Sequence, residues 1–363
     1  MMSPAPIPGP RHLVVRLPNP AGDVVAATPA LRGLRAALPG TRITWCGRPP
    51  ALAILDGLPD RDDVLAIEGP LAGGYSAPRR IGNAWRAAGA DAVLLLTNSW
   101  SSAWAAAVSR APVRVGYVLR PRPTWMSGHA NPWSRQAMVT HALFPARDGG
   151  RTRPEAMRTW YLRLAALLGA SDDGHPARLA VTPEGESLAR RRLAAPGFVG
   201  GYFAVSPGAS YGPSKVYPVA QVVEVVRRVR ERTNLPPVIL GGPGEEAIVA
   251  EVAARVGAPC VATDGEPARW PETKSLIEGA SLLLTTDAGP RHVAAALGTP
   301  VVVWMGPTDP RWSAGDEATV TVVRREDLSC LSCHLRACPI GHPCMAGLDP
   351  ESVVAAALAR VRR

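Results

Sequence analysis

The chain has 363 residues, 47% hydrophobic and 19% charged, with 40 Lys+Arg against 30 Asp+Glu for a net charge of +10. That length predicts two domains of about 100–200 residues each, and the apolar share excludes intrinsic disorder. The longest uncharged apolar stretch of the N-terminal half, 92–109, is broken by Thr97, Asn98, Ser99, Ser101 and Ser102, so no membrane span is expected.

Residues 1–11 are Pro-rich, lack an apolar core and read as a disordered tail, not a signal peptide. Short β-branched runs then alternate with Ala/Leu/Arg helical patterns. Strands are predicted at 12–17, 42–46, 64–67, 93–97 and 113–117, with helices over 24–38 and 154–168. The polar, breaker-rich stretch 169–176 marks a domain boundary. Beyond it come strands at 202–206, 238–240, 282–286 and 301–304, and helices near 218–233, 244–256, 272–279 and 290–297. Unalternated apolar strands between helices mean parallel sheets covered on both faces. The expected fold class is α/β, with two Rossmann-like doubly wound domains, 12–172 and 173–345, facing across a cleft. A last helix within 346–363 is expected to pack back on the first domain. Ligands of such sheets bind beyond the carboxyl ends of the strands.

Four strand-end turns carry candidate chemistry. In 17–23 (LPNPAGD), Gly22 permits a tight turn and Asp23 falls at the helix start. It reads either as an N-cap or as a general base kept ionised by the helix N-terminus. In 206–218 (SPGASYGPSKVYP), Ser206, Gly208 and Ser210 leave backbone N–H groups and hydroxyls open to phosphate, and Lys215 adds a point charge. Lys215 and Lys274 are the only lysines among the 40 basic residues, which makes each worth a question. In 282–297, a strand ends in Thr285, Thr286 and Asp287, and Ala288, Gly289 and Pro290 open a helix with His292 on its first turn. That pattern offers N–H donors and an imidazole to an anion, and Asp287 as an acceptor for sugar hydroxyls; capping Asp and solvated His are the plain alternative. The turn at Gly241, Gly242 and Glu245 adds a carboxylate suited to ribose or sugar hydroxyls.

Together these segments resemble the heptosyltransferase family, glycosyltransferase family 9, from about His12 to Ala357. The carriers are the Gly22-Asp23 turn with Thr28-Pro29-Ala30-Leu31, the Ser206 loop with Lys215, the Gly241 turn, the Thr286 to Pro300 run and Gly306-Pro307-Thr308-Asp309-Pro310-Arg311-Trp312. The resemblance implies the two-domain GT-B fold and inverting, metal-independent transfer of a heptose from ADP-heptose to an acceptor hydroxyl, with no cofactor required for catalysis. It implies Asp23 as the base, Lys215 at the donor diphosphate, and Asp287, Gly289 and His292 at the nucleotide-sugar. The acceptor is expected to be a lipopolysaccharide inner-core sugar or a soluble natural-product intermediate. Two departures stand out: the family usually has Thr at Ala288 and Trp at Tyr217.

Cys330, Cys333, Cys338 and Cys344 fall within fifteen residues and read as a thiolate site for structural zinc or iron, or else as reduced structural cysteines or stress-labile disulfides. Arg120, Arg122, Trp125 and His129 form a basic, aromatic loop that could meet an anionic or sugar-like acceptor. Alternatives are another nucleotide-sugar donor, a GT-B nucleotide-sugar epimerase, and a basic nucleic-acid-binding protein. The arginines are spread along the chain without a recognition motif, which disfavours nucleic acid as a partner. A cytoplasmic monomer is expected, touching a membrane surface only through its acceptor.

Overall fold

The computed structural model describes residues 9–69, 75–119, 134–194, 198, 200–257, 261, 262 and 268–362. The chain divides into two units, the first ending at Ala177 and the second beginning at Arg178. The division falls a few residues beyond the expected 172, because Arg32 and Arg158 tie Asp173 and Asp172 to the first unit.

The first unit is built on β1 (His12–Arg16), β2 (Arg42–Gly47), β3 (Asp63–Ala66), β4 (Ala92–Leu95), β5 (Val113–Tyr117) and β6 (His141–Leu143). These form one sheet in the order β3-β2-β1-β4-β5-β6, every neighbouring pair parallel. A two-stranded hairpin, β7 (Arg147–Asp148) and β8 (Arg151–Thr152), follows. β1 and β4 are buried along their whole length, which explains why their sequences show no alternation. Val14, Val93 and Leu95 pack with Trp85 and with Ala103, Ala105 and Ala106 of the helix Trp100–Ser109. Those alanines let the helix Ser76–Ala87 come close, and at Gly82 a Cβ would strike the Ala105 carbonyl and Val108.

The expected helix 24–38 is two helices, Ala21–Ala26 and Thr28–Ala37. Pro29 has no N–H to give the Val25 carbonyl, and the Thr28 hydroxyl donates to that carbonyl instead, at 2.9 Å.

The second unit repeats the plan with β9 (Phe203–Ser206), β10 (Pro237–Ile239), β11 (Val261–Ala262), β12 (Leu283–Thr286), β13 (Val301–Trp304) and β14 (Val320–Val323). Their order is β11-β10-β9-β12-β13-β14, again all parallel. The same reversal of direction therefore occurs in each sheet, between β1 and β4 and between β9 and β12. The core gathers Phe203, Val205, Leu284, Val302 and Trp304 with the valine face of the helix Val219–Thr233.

The closing helix, Pro350–Arg360, corrects one expectation. Its buried face, Val353, Val354 and Ala357, belongs to the core of the second unit and packs on the helix Val219–Thr233, β13 and β14. Glu351 adds ion pairs to Arg228 and Arg232. Among the described residues, no helix is long and apolar enough to cross a membrane.

Candidate active site

In the first unit, the turn after β1 is set by Arg16, which is only 4% exposed. Its guanidinium donates to the Leu17 carbonyl and, at 3.0 Å, to Asn19 Oδ1, fixing the path into the helix Ala21–Ala26. The N-cap position falls on Pro20, so Asp23 sits inside the first turn and does not cap it. Among the described residues no cation pairs with Asp23. Burial pushes its carboxyl up to about 6, where the helix start was expected to keep it low. Desolvation outweighs the partial charge of so short a helix. Burial, and then the nearby Asp23, push the Tyr161 hydroxyl well above its ordinary range, so a phenol lies near the carboxylate. A carboxyl near 6 is mostly ionised at neutral pH yet basic enough to take a proton.

In the second unit, three neighbouring strands end together. Ser206 closes β9 and is buried, and the buried Thr286 hydroxyl donates to the Gly208 carbonyl at 2.7 Å, tying the β12 turn to the β9 loop. Beyond β10, the Gly242 N–H donates to Glu245 Oε2 at 2.9 Å. The Glu245 carboxyl fills the space a Cβ on Gly208 would need, so a side chain there would have to push the carboxyl aside. Burial raises the Glu245 carboxyl, and the Gly242 N–H works against that. Ser210 is exposed on the same loop.

Asp287 is the hub. Lys215 Nζ donates to its Oδ2 at 2.9 Å and to its backbone carbonyl at 2.6 Å. Arg291 Nη1 reaches Oδ1 at 2.9 Å and the Thr308 hydroxyl reaches Oδ2 at 2.6 Å. Burial alone would raise this carboxyl, but Lys215, Arg291, His292 and Thr308 hold it well below the usual range. Arg291, 2% exposed, continues to Asp316 Oδ1 at 3.2 Å. Sequence reading named Lys215 for a diphosphate; two of its three N–H donors serve Asp287, leaving one. It also lies 5.0 Å from the Tyr211 ring centre. Arg291, Thr308 and Asp316 were not singled out, though Arg291 and Thr308 lie within quoted motifs. A buried arginine one turn after an aspartate was the available signal.

Gly289 begins the helix Gly289–Leu297, Pro290 brings no N–H, and Ala288 is an N-cap without a side-chain acceptor. Burial, with Arg291 next to it, pushes His292 down to about 4, so the imidazole is neutral at pH 7. A neutral ring donates one hydrogen bond and accepts another. Tyr217 is fully buried, donates its hydroxyl to the Leu348 carbonyl at 2.8 Å and leans on Trp304 with centroids 5.4 Å apart. An indole could not supply that hydroxyl.

Arg120, Arg122, Trp125 and His129 lie outside the described residues. Arg135, at the end of that stretch, donates to the carbonyls of Tyr117 and Thr97 and to the Ser102 hydroxyl, which makes it a wedge in the first unit. Cys330, Cys333, Cys338 and Cys344 are free thiols lining one small cavity beside Ser214. Burial, followed by the other three, pushes the Cys344 thiol up.

Two six-stranded parallel sheets of the same strand order, each with helices, are the GT-B fold. The sequence pattern of glycosyltransferase family 9 (heptosyltransferase) matches residues 78–343, and the chain belongs to that family. Lipopolysaccharide heptosyltransferase 3 of Escherichia coli is 24% identical over 296 residues, spanning 79% of this chain and 81% of that protein. The solved E. coli ADP-heptose lps heptosyltransferase II superposes with a TM-score of 0.74 at 19% identity, over 96% of this chain and 98% of that one. A family 9 glycosyltransferase from Veillonella parvula gives a TM-score of 0.77 at 19% identity, over 96% of both chains. The chain is a glycosyltransferase.

Proposed function

We propose that this enzyme moves a heptose from ADP-heptose to an acceptor hydroxyl with inversion at the anomeric carbon. The observation that carries the reading is the cluster at the ends of β9, β10 and β12, where Lys215, the Gly289 helix start and His292 gather around Asp287, with Glu245 on the neighbouring turn against Gly208. The remaining Lys215 N–H and the helix-start N–H groups suit a diphosphate, and the Glu245 carboxylate suits ribose hydroxyls. Asp287 keeps Lys215 in place, and Ala288 leaves its side of the donor pocket without a hydroxyl.

In the reaction, Asp23 takes the proton of the acceptor hydroxyl while that oxygen attacks the anomeric carbon. The bond from that carbon to the diphosphate oxygen breaks, and ADP leaves with the electron pair. Lys215, the helix start and a donated His292 N–H stabilise the growing negative charge. The similarity to lipopolysaccharide heptosyltransferases supports a phosphorylated inner-core sugar as acceptor. The loop with Arg120, Arg122, Trp125 and His129 is proposed to meet it, and the enzyme to work in the cytoplasm.

The test is ADP release from ADP-heptose with and without candidate acceptors, followed by product anomer assignment. Acceptor-dependent ADP release with inverted product is expected. Absence of turnover and of ADP binding with both heptose epimers would remove the donor assignment.

A further inference from the structure

Between β14 and the closing helix lies the stretch 324–349, in which the turn Pro343–Ala346 is the only helical segment. It places three non-glycine residues in the left-handed region: Ser332 at φ 58°, His334 at 55° and His342 at 61°. Such conformations cost roughly 1 kcal/mol or more each and persist only where something else fixes the backbone. Apolar packing anchors the two ends of the stretch, through Leu328, Leu331, Met345 and Leu348, but not its middle, where Leu335 and Ile340 are 46% and 62% exposed.

The stretch nonetheless wraps around a single feature. Cys330, Cys333, Cys338 and Cys344 line one cavity of about 90 Å³, with Ser214 and His342 at its wall. The His342 N–H donates to Cys338 Sγ at 3.2 Å, a bond that thiolates accept well. As placed, no three His, Cys, Asp or Glu side chains among the described residues converge on one metal-bonding point. The sulfurs surround a space instead, and Cys333 is exposed, which gives an ion a way in.

The same stretch holds the Lys215 loop. The Tyr211 hydroxyl donates to the His334 carbonyl at 2.6 Å, and the Ser214 hydroxyl to the Leu335 carbonyl at 2.5 Å. The Ser214 N–H donates to the Arg336 carbonyl at 3.2 Å, and His342 Nε2 bonds the Ser214 carbonyl. Lys215 is the next residue.

We propose that Cys330, Cys333, Cys338 and Cys344 close on one thiolate-bound transition-metal ion, zinc or iron, which locks this stretch and so braces the loop carrying Lys215. Four sulfur ligands suit these two ions and exclude magnesium and calcium. On binding, the four thiols release four protons to solvent and each sulfur gives an electron pair to the ion, with no change of oxidation state. The role is structural, because four sulfurs leave a tetrahedral ion no open position. The bracing part rests on the donor reading above; the metal site does not.

The test is elemental analysis of the full chain purified from zinc-supplemented and from iron-supplemented growth, with thermal melting and ADP titration before and after chelation. About one ion per chain is expected. Its removal should lower the melting temperature and weaken ADP binding about tenfold, and re-addition of the zinc or ferrous salt should restore both. Iron would announce itself by thiolate-to-iron absorption in the visible, zinc by a colourless stoichiometric ion. Cys330→Ser and Cys344→Ser should lose the ion; the chelation series on the wild-type chain stands if either variant fails to fold. Background metal from both growths, with four reactive thiols or with disulfides in their place, overturns the proposal. A metal-free chain that releases ADP normally overturns this inference alone, and a metal-loaded chain that binds no ADP overturns the donor reading alone.

Discussion

Asp23 and Asp287 each follow a central strand, β1 in one sheet and β12 in the other, yet their surroundings push them in opposite directions. Asp23 follows β1 into a pocket of burial without a cation, and its carboxyl rises to about 6. Asp287 follows β12 into a ring of Lys215, Arg291 and Thr308, and its carboxyl falls well below the usual range. Under the proposed mechanism the difference separates two tasks. A carboxylate that must accept a proton is kept basic by withholding partners, and one that must hold other groups still is surrounded by them.

The sharpest way to break the comparison is Asp23→Asn. Transfer should fall about 10²–10⁴-fold, the usual contribution of a general base. Stability should move the other way. A carboxyl raised from 3.8 to about 6 binds its proton more tightly in the folded state. Its ionisation therefore costs folding free energy progressively between about pH 4 and 6, and fully above that. Removing the charge should stabilise the chain by about 1–3 kcal/mol at pH 8. Urea unfolding beside an ADP-release assay reads both, and an active or less stable variant would defeat the assignment.

Asp287→Asn should do the reverse. It leaves Lys215 and the buried Arg291 short of a counter-charge, and breaking such a buried pair typically costs about 3–5 kcal/mol. Here stability and ADP affinity should fall together. A variant as stable as wild type would show that Arg291 and Asp316 suffice without Asp287.

The two carboxyls also differ in pH response. If Asp23 is the base, kcat/KM should rise about tenfold per unit up to about pH 6 and then level off. Asp287 stays ionised across this range and adds no limb. His292, at about 4, should leave a second, lower limb only if its neutral form is needed. A single limb near 4 would move the catalytic role away from Asp23.

Much of this was readable in the sequence because strand-end turns punctuate apolar runs. The strands from β1 to β5 and β9, β10, β12 and β13 stand within one or two residues of expectation, since buried parallel strands are continuous apolar runs. β6, β11 and β14 escaped: all three are sheet edges, and β6 and β11 are only three and two residues long. The motif around Asp287 was legible, but its electrostatics were not. Arg291 and Thr308 become partners only when β12, its helix and the turn after β13 come together. The rise of Asp23 was invisible for the same reason: burial is a property of the packed unit.

Ala288 offers the smallest and most diagnostic change. It sits at the N-cap of the helix Gly289–Leu297 without a side-chain acceptor, a station where serine typically adds about 0.5–1 kcal/mol. Ala288→Ser should therefore raise the melting temperature by roughly 1–4 °C for a unit of this size. If the methyl side chain is retained to shape the proposed donor pocket, the same variant should weaken ADP-heptose more than ADP. Equal affinities with a higher melting temperature would show that Ala288 is a stability concession with no part in choosing the donor.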